Sequence, residues 1–390
     1  MAIYSDLGVP AIINAKGPST RVSGGFLAPE VITAMTEAAT HCVDMAELQA
    51  AASRVIARIT GAEAGIVTTG AAAGLLLGTA ACVAGLNPAR MAQLPDFTGP
   101  QPEVIVVRSQ RNAYDHAVRA AGVRLVEVGL PDRYAGAGVR DAEPWELAAA
   151  ITPATVAILY VDSAHSLPSL AEVVAVGHEH SLPVLVDAAA QLPPVGNLQA
   201  FIAVGADLVV FSGGKAISGP QGSGILCGRR DLIMSAILQN LDLDLDWEQW
   251  NPPSGLIDKH RLPGLPAHGI GRTCKVGKET IVGLLVALER FAAEADDSRR
   301  RRWLAILDEL CALLPEAGFS MRLETVPRLA LALPQARQAC FRLQNSSPAI
   351  HVDPSELHLG NLLINPTCLS SADLPALASA LRGIMINSAA

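Results

Sequence analysis

The stretch "ADLVVFSGGKAISGPQGSGILCGR", residues 206–229, contains two apolar runs separated by a loop rich in glycine and serine. Continuous runs of Val, Ile and Leu are typical of strands that are buried on both faces of a sheet. Lys215 is the only charged residue in the loop between them. A lone amine in this setting could be a solvated loop lysine, a phosphate-binding lysine, or a lysine that bonds covalently to a cofactor.

Similar apolar runs precede this stretch and alternate with segments of helical periodicity. Residues 29–60 have a helical pattern with one break near residues 41–44. Strands that alternate with helices at this spacing predict an α/β fold with a mostly parallel central sheet and helices on both faces. The predicted strands before residue 206 are 64–70, 103–109, 124–129, 155–163 and 183–190.

The pattern of predicted secondary structure changes after Gly277. One long helix is expected over residues 278–318, with the charge run "EADDSRRRR" (294–302) as its solvated face. Short strands and a terminal helix follow, which indicates a smaller α+β C-terminal domain. The predicted organisation is an N-terminal arm and helix (1–45), a large domain (46–275) and the small C-terminal domain (276–390).

The composition limits the classes of function. The chain has 390 residues, of which 50% are hydrophobic and 17% charged, so it can form a sizeable core. Its net charge of −8 argues against a protein that coats nucleic acid, although a locally basic pocket could still bind an anionic substrate. No apolar run approaches the ~18 residues that a bilayer requires, and no leader pattern follows Met1, so we expect a cytoplasmic protein without a membrane partner.

The seven cysteines are scattered and never form a CxxC pair. This spacing predicts reduced thiols rather than a disulfide framework or a metal site.

Three places at the ends of predicted strands could carry chemistry, because ligands of open α/β sheets bind at the carboxyl ends of the strands. "TTGAAAG" (68–74) joins a strand to a helix through small residues, which suits either a phosphate or close packing. Asp187 ends an apolar strand, either in a salt bridge or helix cap, or as the partner of a protonated ring nitrogen. The residues alone do not decide between these alternatives, either for residues 68–74 or for Asp187.

Lys215 does not fit a P-loop. Ala216 follows it where the P-loop needs Ser or Thr, and Val209 stands where the first glycine should be. Burial would lower the pKa of this amine and make it nucleophilic, as Schiff-base chemistry requires. A phosphate cradle, a carboxylate and such a lysine, in this order on one sheet, are what pyridoxal phosphate needs.

The sequence resembles the fold-type I pyridoxal-phosphate enzymes of the selenocysteine synthase (L-seryl-tRNA(Sec) selenium transferase)-like family, and within it the D-glucosaminate-6-phosphate ammonia-lyase-like group. The resemblance spans residues 10–290 and is most specific around Lys215. It implies an aspartate aminotransferase-like fold and pyridoxal 5'-phosphate as cofactor. The matching stretches are "IINAKGPSTRVSGG", "VDMAELQAAASRVIARITGAEAGIVTTGAAAG", "NAYDHAVRAAG", "VDAAAQLPP", "LVVFSGGKAISGPQGSGILCGRRDLI" and "GIGRTCKVGKETIVGLL".

The resemblance also implies roles for residues at the cofactor. Lys215 would carry the Schiff base and Asp187 would pair with the ring nitrogen. His116 or Tyr114 would stack on the ring, and the intervening Asp115 is either a helix cap or catalytic. The remaining cofactor contacts would be the backbone N–H groups of Gly70, Ala71 and Ala72, the hydroxyl of Ser212, and Ala189 close to the ring.

Substrate contacts are expected from three further segments. Arg272 and Lys275 lie in "GIGRTCKVGKE", where Arg272 would bind a carboxylate or, alternatively, take part in a salt-bridged helix start. The remaining candidates are Asn14 and Arg21 in the N-terminal arm and His165 in "VDSAHS", which could instead be a structural histidine. Where relatives often carry a small residue, this chain has Lys16, a departure that bears on substrate choice.

The resemblance implies a lyase that eliminates the β-substituent of a β-hydroxy or other β-substituted amino acid and releases a keto acid and ammonia. A homodimer or higher homo-oligomer with shared active sites is implied as well. The alternatives are a racemase or aldolase, a selenium or sulfur transferase, and a catalytically silent homologue. A tRNA-dependent transferase is disfavoured, because bacterial selenium transferases carry a tRNA-binding domain before these motifs and the present motifs begin almost at once.

Overall fold

The structure is a computed structural model that describes residues 2–130, 141–163, 166–266 and 268–389. The chain divides into two compact units. The large unit comprises Leu27–Ala292, and the small unit comprises Met1–Phe26 together with Ala293–Ala390. The three-part domain division given above stays a prediction.

Twelve strands lie in the described part of the chain. They are β1 (Ile12–Ala15), β2 (Ala64–Thr68), β3 (Glu103–Val107), β4 (Arg124–Val128), β5 (Thr155–Val161), β6 (Val184–Asp187), β7 (Leu208–Ser212), β8 (Gly224–Gly228), β9 (Phe319–Arg322), β10 (Arg328–Ala332), β11 (Ala349–Val352) and β12 (Asn361–Ile364).

Fourteen α-helices lie in the same ranges, and none of them is both long and apolar enough to cross a membrane. They are α1 (Ala2–Asp6), α2 (Pro29–Ala39), α3 (Met45–Thr60), α4 (Gly70–Ala84), α5 (Pro88–Gln93), α6 (Asp115–Arg119), α7 (Pro144–Ala149), α8 (Leu170–Glu179), α9 (Asn197–Val204), α10 (Arg230–Asn240), α11 (Lys278–Ala293), α12 (Asp296–Leu313), α13 (Ala336–Gln344) and α14 (Leu374–Ala389).

The large unit is built on a seven-stranded sheet in the order β2-β8-β7-β6-β5-β3-β4. All pairs are parallel except those of β8, which runs antiparallel to β7 and β2. Alternate residues of each strand enter two different buried clusters. Val186 and Val209 pack on one face, whereas Leu185 and Leu208 pack on the other. The mostly parallel α/β sheet predicted from the apolar runs is therefore confirmed.

The reversed direction of β8 follows from the loop that precedes it. A Cβ added to Gly213 would come within 2.2 Å of the Ser223 hydroxyl, and one added to Gly214 within 2.5 Å of the Gln221 carbonyl oxygen. The two halves of the loop approach each other so closely that only glycine fits at these positions. Residues 213–223 thus return the chain directly beside β7, and Lys215 lies within this return.

The small unit contains two sheets of its own. Strands β1 and β11 form a parallel pair in which Asn14 lies opposite His351. Strands β12, β10 and β9 form an antiparallel sheet in that order. Helices α12, α13 and α14 contribute Leu307, Leu343 and Leu377 to its buried cluster. This unit has the α+β character predicted for the C-terminal part of the chain.

The prediction of a single helix over residues 278–318 is wrong. Helix α11 ends at Ala293 and α12 begins at Asp296, with acidic residues in its first turn, where they favour a helix N-terminus. The charge run is also not wholly solvated. Arg299 is only 2% exposed and forms ion pairs with Glu294 and Asp296.

Candidate active site

The carboxyl ends of β6 and β7 bring the predicted carboxylate and amine to one edge of the sheet. Asp187 is the last residue of β6 and lies opposite Val210 of β7. Lys215 follows the end of β7 by three residues. Because these strands are parallel neighbours, both side chains belong to the edge at which such sheets bind ligands.

Lys215 lies in a half-buried environment that changes its acidity. Burial lowers the pKa of its amine, and the Asp187 carboxylate offsets part of this shift. Within the described ranges, no carboxylate lies within 4 Å of this amine to form an ion pair. A half-buried amine with a lowered pKa is more readily deprotonated, and the free base is the nucleophilic form.

Asp187 is 8% exposed, and one of its carboxylate oxygens, Oδ1, accepts a hydrogen bond of 3.0 Å from the Ala189 N–H. Burial raises the pKa of this carboxyl group, while the Ala189 N–H and the Lys215 amine act in the opposite direction. Asp115 adds to the rise. Asp187 is therefore a buried acceptor in the field of two other charged side chains.

The buried Asp115 carboxylate belongs to an ion-pair network. It is 4% exposed at the start of α6, and the Arg111 guanidinium donates to it. Arg111 also binds Glu127, which in turn pairs with Arg108 at 3.1 Å. The structure therefore gives Asp115 a charged partner that the sequence reasoning missed. The i,i+4 spacing of Arg111 and Asp115 is the signal that could have revealed it.

The start of α4 has the properties of an anion site. Gly70 opens this helix with φ +79°, and the N-cap residue Thr69 does not cap it. Instead, the Thr69 hydroxyl lies 2.9 Å from the carbonyl oxygens of Cys274 and Lys275, to which it donates. The N–H groups of the first turn of α4, at residues 70–72, are thus left without a side-chain acceptor from the N-cap.

Gly224 at the start of β8 is a second residue of this site that sequence reasoning missed. A Cβ there would lie 2.4 Å from the carbonyl carbon of Gly70 and 2.6 Å from the nitrogen of Ala71. Any larger residue at position 224 would push into the backbone that begins α4. The repeated glycines of "QGSG" were the available signal.

Two of the remaining predicted cofactor contacts lie at the ends of β6 and β7, and the other two lie at the start of α6. Ser212 ends β7 and is half-buried, and Ala189 is half-buried two residues after β6. Tyr114, which precedes α6, is 60% exposed. His116 is exposed, and its Nδ1 accepts a hydrogen bond of 3.0 Å from Arg119. The choice between Tyr114 and His116 as the stacking residue stays open.

Arg272 and Lys275 line a groove of about 1010 Å³ in the large unit, together with Trp250. The Arg272 guanidinium donates to the Asn240 carbonyl oxygen and to the Asp242 carboxylate, both at 3.1 Å. This is the ion-paired arrangement weighed as the alternative to substrate binding. Lys275 is exposed.

The other predicted substrate contacts do not belong to the large unit. Asn14 is buried in β1, and Arg21 contacts His351, all within the small unit. His165 lies outside the described residues. The large unit therefore brings together Lys215, Asp187 and the start of α4, and the role of Asn14 and Arg21 of the small unit in substrate binding stays a prediction.

These features fit pyridoxal phosphate. The uncapped start of α4 suits a phosphate, the buried Asp187 carboxylate suits a protonated ring nitrogen, and the half-buried Lys215 amine suits an aldehyde carbon. In the described parts of the chain, no group of three or more His, Cys, Asp or Glu side chains is placed to hold a metal ion.

The chain is similar to several proteins of named activity. The family model for L-seryl-tRNA selenium transferase matches residues 103–244. A 5'-C-glycyluridine monooxygenase-decarboxylase from a Streptomyces species is 33% identical, over 94% of this chain and 88% of that protein. The D-glucosaminate-6-phosphate ammonia lyase of Salmonella typhimurium is 29% identical, over 98% of this chain and 97% of that protein.

Solved structures give the same result for the fold. A structure of D-glucosaminate-6-phosphate ammonia-lyase aligns with a TM-score of 0.80 and 28% identity over 100% of both chains. Thermus thermophilus aspartate aminotransferase aligns with a TM-score of 0.50 and 18% identity, over 97% of this chain and 93% of that protein. The second alignment shows the fold alone.

Proposed function

Because the chain belongs to the selenocysteine-synthase-like family of fold-type I pyridoxal-phosphate enzymes, we propose that it is an ammonia lyase acting on a β-hydroxy or other β-substituted amino acid. The products are a keto acid and ammonia. The observation that carries the proposal is that a half-buried amine, Lys215, and a buried carboxylate, Asp187, lie at the ends of adjacent parallel strands. Similarity to a named ammonia lyase along nearly the whole chain supports it.

The residues that would hold the cofactor follow from the site. Lys215 would bind its aldehyde carbon, Asp187 its ring nitrogen, and the start of α4 with Ser212 its phosphate. Ala189 would lie near the ring, with Tyr114 or His116 stacked on it. The bound cofactor supplies an electron sink that stabilises negative charge at the substrate Cα.

Lys215 would move the protons of the reaction. Because burial lowers the pKa of its amine, the free base forms more readily than that of an exposed lysine and can take the proton from the substrate Cα. The resulting ammonium can then protonate a departing β-hydroxyl group, so that it leaves as water. Hydrolysis of the unsaturated amine consumes one water and gives ammonia and the keto acid, which balances the reaction.

Asp187 would hold one proton in place at the ring nitrogen. Its buried carboxylate is raised in pKa by burial and by the neighbouring Asp115, so it is a stronger proton acceptor than an exposed aspartate. The Ala189 N–H fixes one carboxylate oxygen. Arg111 pairs with Asp115 and thereby holds the Asp115 carboxylate in place.

The first experiment is a visible spectrum of the purified protein before and after borohydride, followed by peptide mapping. We expect a cofactor band that borohydride removes and a reduced adduct on Lys215. Incubation with a panel of β-hydroxy amino acids should then release ammonia and keto acid in equal amounts. An adduct on another lysine, or keto acid without ammonia, contradicts the proposal.

Oxygen-dependent decarboxylation is a second candidate, because the Streptomyces relative at 33% identity is named as a monooxygenase-decarboxylase. The two activities differ in their need for oxygen. An ammonia lyase works under anaerobic conditions and evolves no CO2, whereas the second activity consumes O2 and releases CO2. An oxygen electrode and a CO2 assay on the same substrate panel separate them.

The other activities left open by the sequence have distinct products. A racemase inverts the stereocentre at Cα, and an aldolase releases an aldehyde fragment. The expected homodimer also stays a prediction, which sedimentation equilibrium of the purified protein tests directly.

A further inference from the structure

Gln110 lies in the short 3-10 turn Arg108–Gln110 that follows β3, at the edge of the sheet that carries Lys215 and Asp187. It is 6% exposed. Its Oε1 accepts a hydrogen bond of 2.9 Å from the Val161 N–H at the end of β5. Because a backbone N–H can only donate, this contact fixes which end of the amide is the oxygen, and the Nε2 group faces elsewhere.

The Nε2 group of Gln110 is a buried donor without an acceptor among the residues that the structure describes. Buried polar groups are almost always paired, because a donor that loses water without a replacement costs stability. Gln49, another buried glutamine of the large unit, has both ends of its amide paired with the backbone of Val67. Gln110 is satisfied only as an acceptor, so its donor is free to bind a ligand.

The Gln110 amide lies beside Asp187. Val161, whose N–H it binds, is directly opposite Asp187 in the register of β5 and β6. The segment that follows Gln110 reaches the same carboxylate, since Asp115 at the start of α6 contributes to the raised pKa of Asp187. In the strand order β8-β7-β6-β5-β3, the Gln110 amide is on the β5 side of Asp187, away from β7.

The substitution pattern of pyridoxal phosphate determines which of its groups faces this side. The ring nitrogen stands opposite the carbon that carries the aldehyde, and that carbon is flanked by one carbon with the hydroxyl group and one with the phosphate arm. The proposed function assigns the nitrogen to Asp187, the aldehyde to Lys215 and the phosphate to the start of α4. Helix α4 begins against Gly224 of β8, on the β7 side of Asp187. The ring hydroxyl is therefore directed to the opposite side, toward β5.

We propose that the Nε2 group of Gln110 donates a hydrogen bond to the ionised ring hydroxyl of the cofactor. A donor at this oxygen stabilises its negative charge and weakens its attraction for the proton on the neighbouring Schiff-base nitrogen. Gln110 thereby lowers the pH at which the Schiff base loses that proton. The assignment rests on the cofactor placement in the proposed function, but not on the substrate or the reaction.

The first test titrates the visible spectrum of the holoenzyme with pH. Q110M removes the donor, so the protonated Schiff base should persist to higher pH, and the midpoint of the spectral change should rise by about 0.5–1 pH unit. Q101M is the matched control, because Gln101 also donates from an amide in the large unit, to the Gly122 carbonyl oxygen at 2.9 Å, but from an exposed site. A midpoint in Q110M that stays unchanged or falls overturns the proposal.

A cofactor analogue separates this contact from a purely structural role. The analogue 3-deoxypyridoxal 5'-phosphate lacks the ring hydroxyl and keeps the aldehyde, the ring nitrogen and the phosphate. Relative to wild type, Q110M should bind pyridoxal phosphate about tenfold more weakly and the analogue within about twofold. An equal loss for both compounds would mean that Gln110 only supports the end of β5, and the proposal would be wrong.

Q110E is a second variant, which decides the question if Q110M does not fold. Its carboxylate can still accept from the Val161 N–H, but it lacks the donor and repels the ionised hydroxyl. Q110E should therefore raise the spectral midpoint and weaken binding of pyridoxal phosphate more than binding of the analogue. An unchanged ratio of the two affinities overturns the proposal. Because every readout is a spectrum or an affinity, failure to release ammonia from any amino acid refutes the proposed function alone.

Discussion

Lys215 of the large unit and the two cations Lys16 and Arg21 of the small unit lie in opposite electrostatic settings. Lys215 lies half-buried beside the Asp187 carboxylate, and the backbone around it is packed so closely that glycine is required. Lys16 and Arg21 lie on a loop without a carboxylate partner among the described residues, and Arg21 is exposed.

The difference separates two uses of positive charge. Burial favours the neutral amine, and a neutral amine can form a covalent bond and accept a proton. A guanidinium such as that of Arg21 cannot be deprotonated in proteins, and a fixed charge attracts an anion without reacting with it. Arg272 shows a third setting, because its pairing with Asp242 already satisfies its charge.

Among the tests of this comparison, we expect the substitution K215A to have the largest effect. Loss of the amine should remove the borohydride adduct and lower ammonia release by at least about a thousandfold, since no other group would move the Cα proton. Peptide mapping and an ammonia assay check both parts. K278A removes a lysine that pairs with Glu279 at the start of α11 and serves as the control. Retention of the adduct elsewhere with normal activity would assign the chemistry to a different lysine.

D187N tests the carboxylate beside that amine. Activity should fall about a hundredfold, because a neutral amide cannot hold the ring nitrogen protonated. The apoenzyme should be no less stable, since Asn Oδ1 can still accept from the Ala189 N–H. Burial raises the pKa of Asp187 in the folded state, so the ionised carboxylate costs stability above that pKa.

Thermal unfolding of apo wild type and D187N, measured from about pH 4, near the pKa of an unperturbed aspartate, up to pH 8, checks the direction of this effect. Wild type should lose stability relative to D187N as the pH rises through the raised pKa of Asp187. The opposite trend would show that the carboxylate is stabilised by a partner.

G224A tests the close approach of β8 to α4. The added Cβ meets the backbone of residues 70 and 71, so the variant should lose about 1–3 kcal/mol of stability and about tenfold in cofactor affinity. G222A is the matched control, because a Cβ there meets nothing within 4 Å. Cofactor titration and thermal unfolding of both variants give the answer. Equal behaviour of the two variants would remove the packing argument.

The smallest expected effect concerns the reactivity of Lys215 in the apoenzyme. Burial lowers the pKa of its amine and Asp187 partly restores it, so D187N should make acetylation of Lys215 a few-fold faster at pH 7.5. Competitive labelling with mass spectrometry measures this against the exposed Lys275 in the same sample. A slower reaction in D187N would mean that Asp187 does not act on the amine.

Most strands of the large sheet could be predicted because they are apolar runs that both faces bury. The edge strand β4 is the exception, since its Arg124 and Glu127 are exposed. The direction of β8 could not be predicted, because it depends on how residues 213–223 fold back, and the tight contacts of Gly213 and Gly214 are visible only in three dimensions. Fold class, family and cofactor predicted from the sequence are confirmed.

The candidate site was predictable where chemistry demands a residue type at a strand end, as for Lys215 and Asp187. Side-chain contacts between residues far apart in the sequence could not be predicted. Arg272 meets Asp242 from 30 residues away, and Thr69 reaches the carbonyl oxygens of Cys274 and Lys275 across about half the chain. Such pairs depend on tertiary packing, which leaves no local pattern in the sequence.

The close approach of Gly224 to residues 70 and 71 has a thermodynamic consequence. The backbone of β8 and the start of α4, which we propose binds the phosphate, already touch, so uptake of the cofactor should bury little further apolar protein surface there. Heat capacity changes on binding follow the apolar surface that is buried. Reconstitution of the apoenzyme should accordingly give a nearly linear van't Hoff plot.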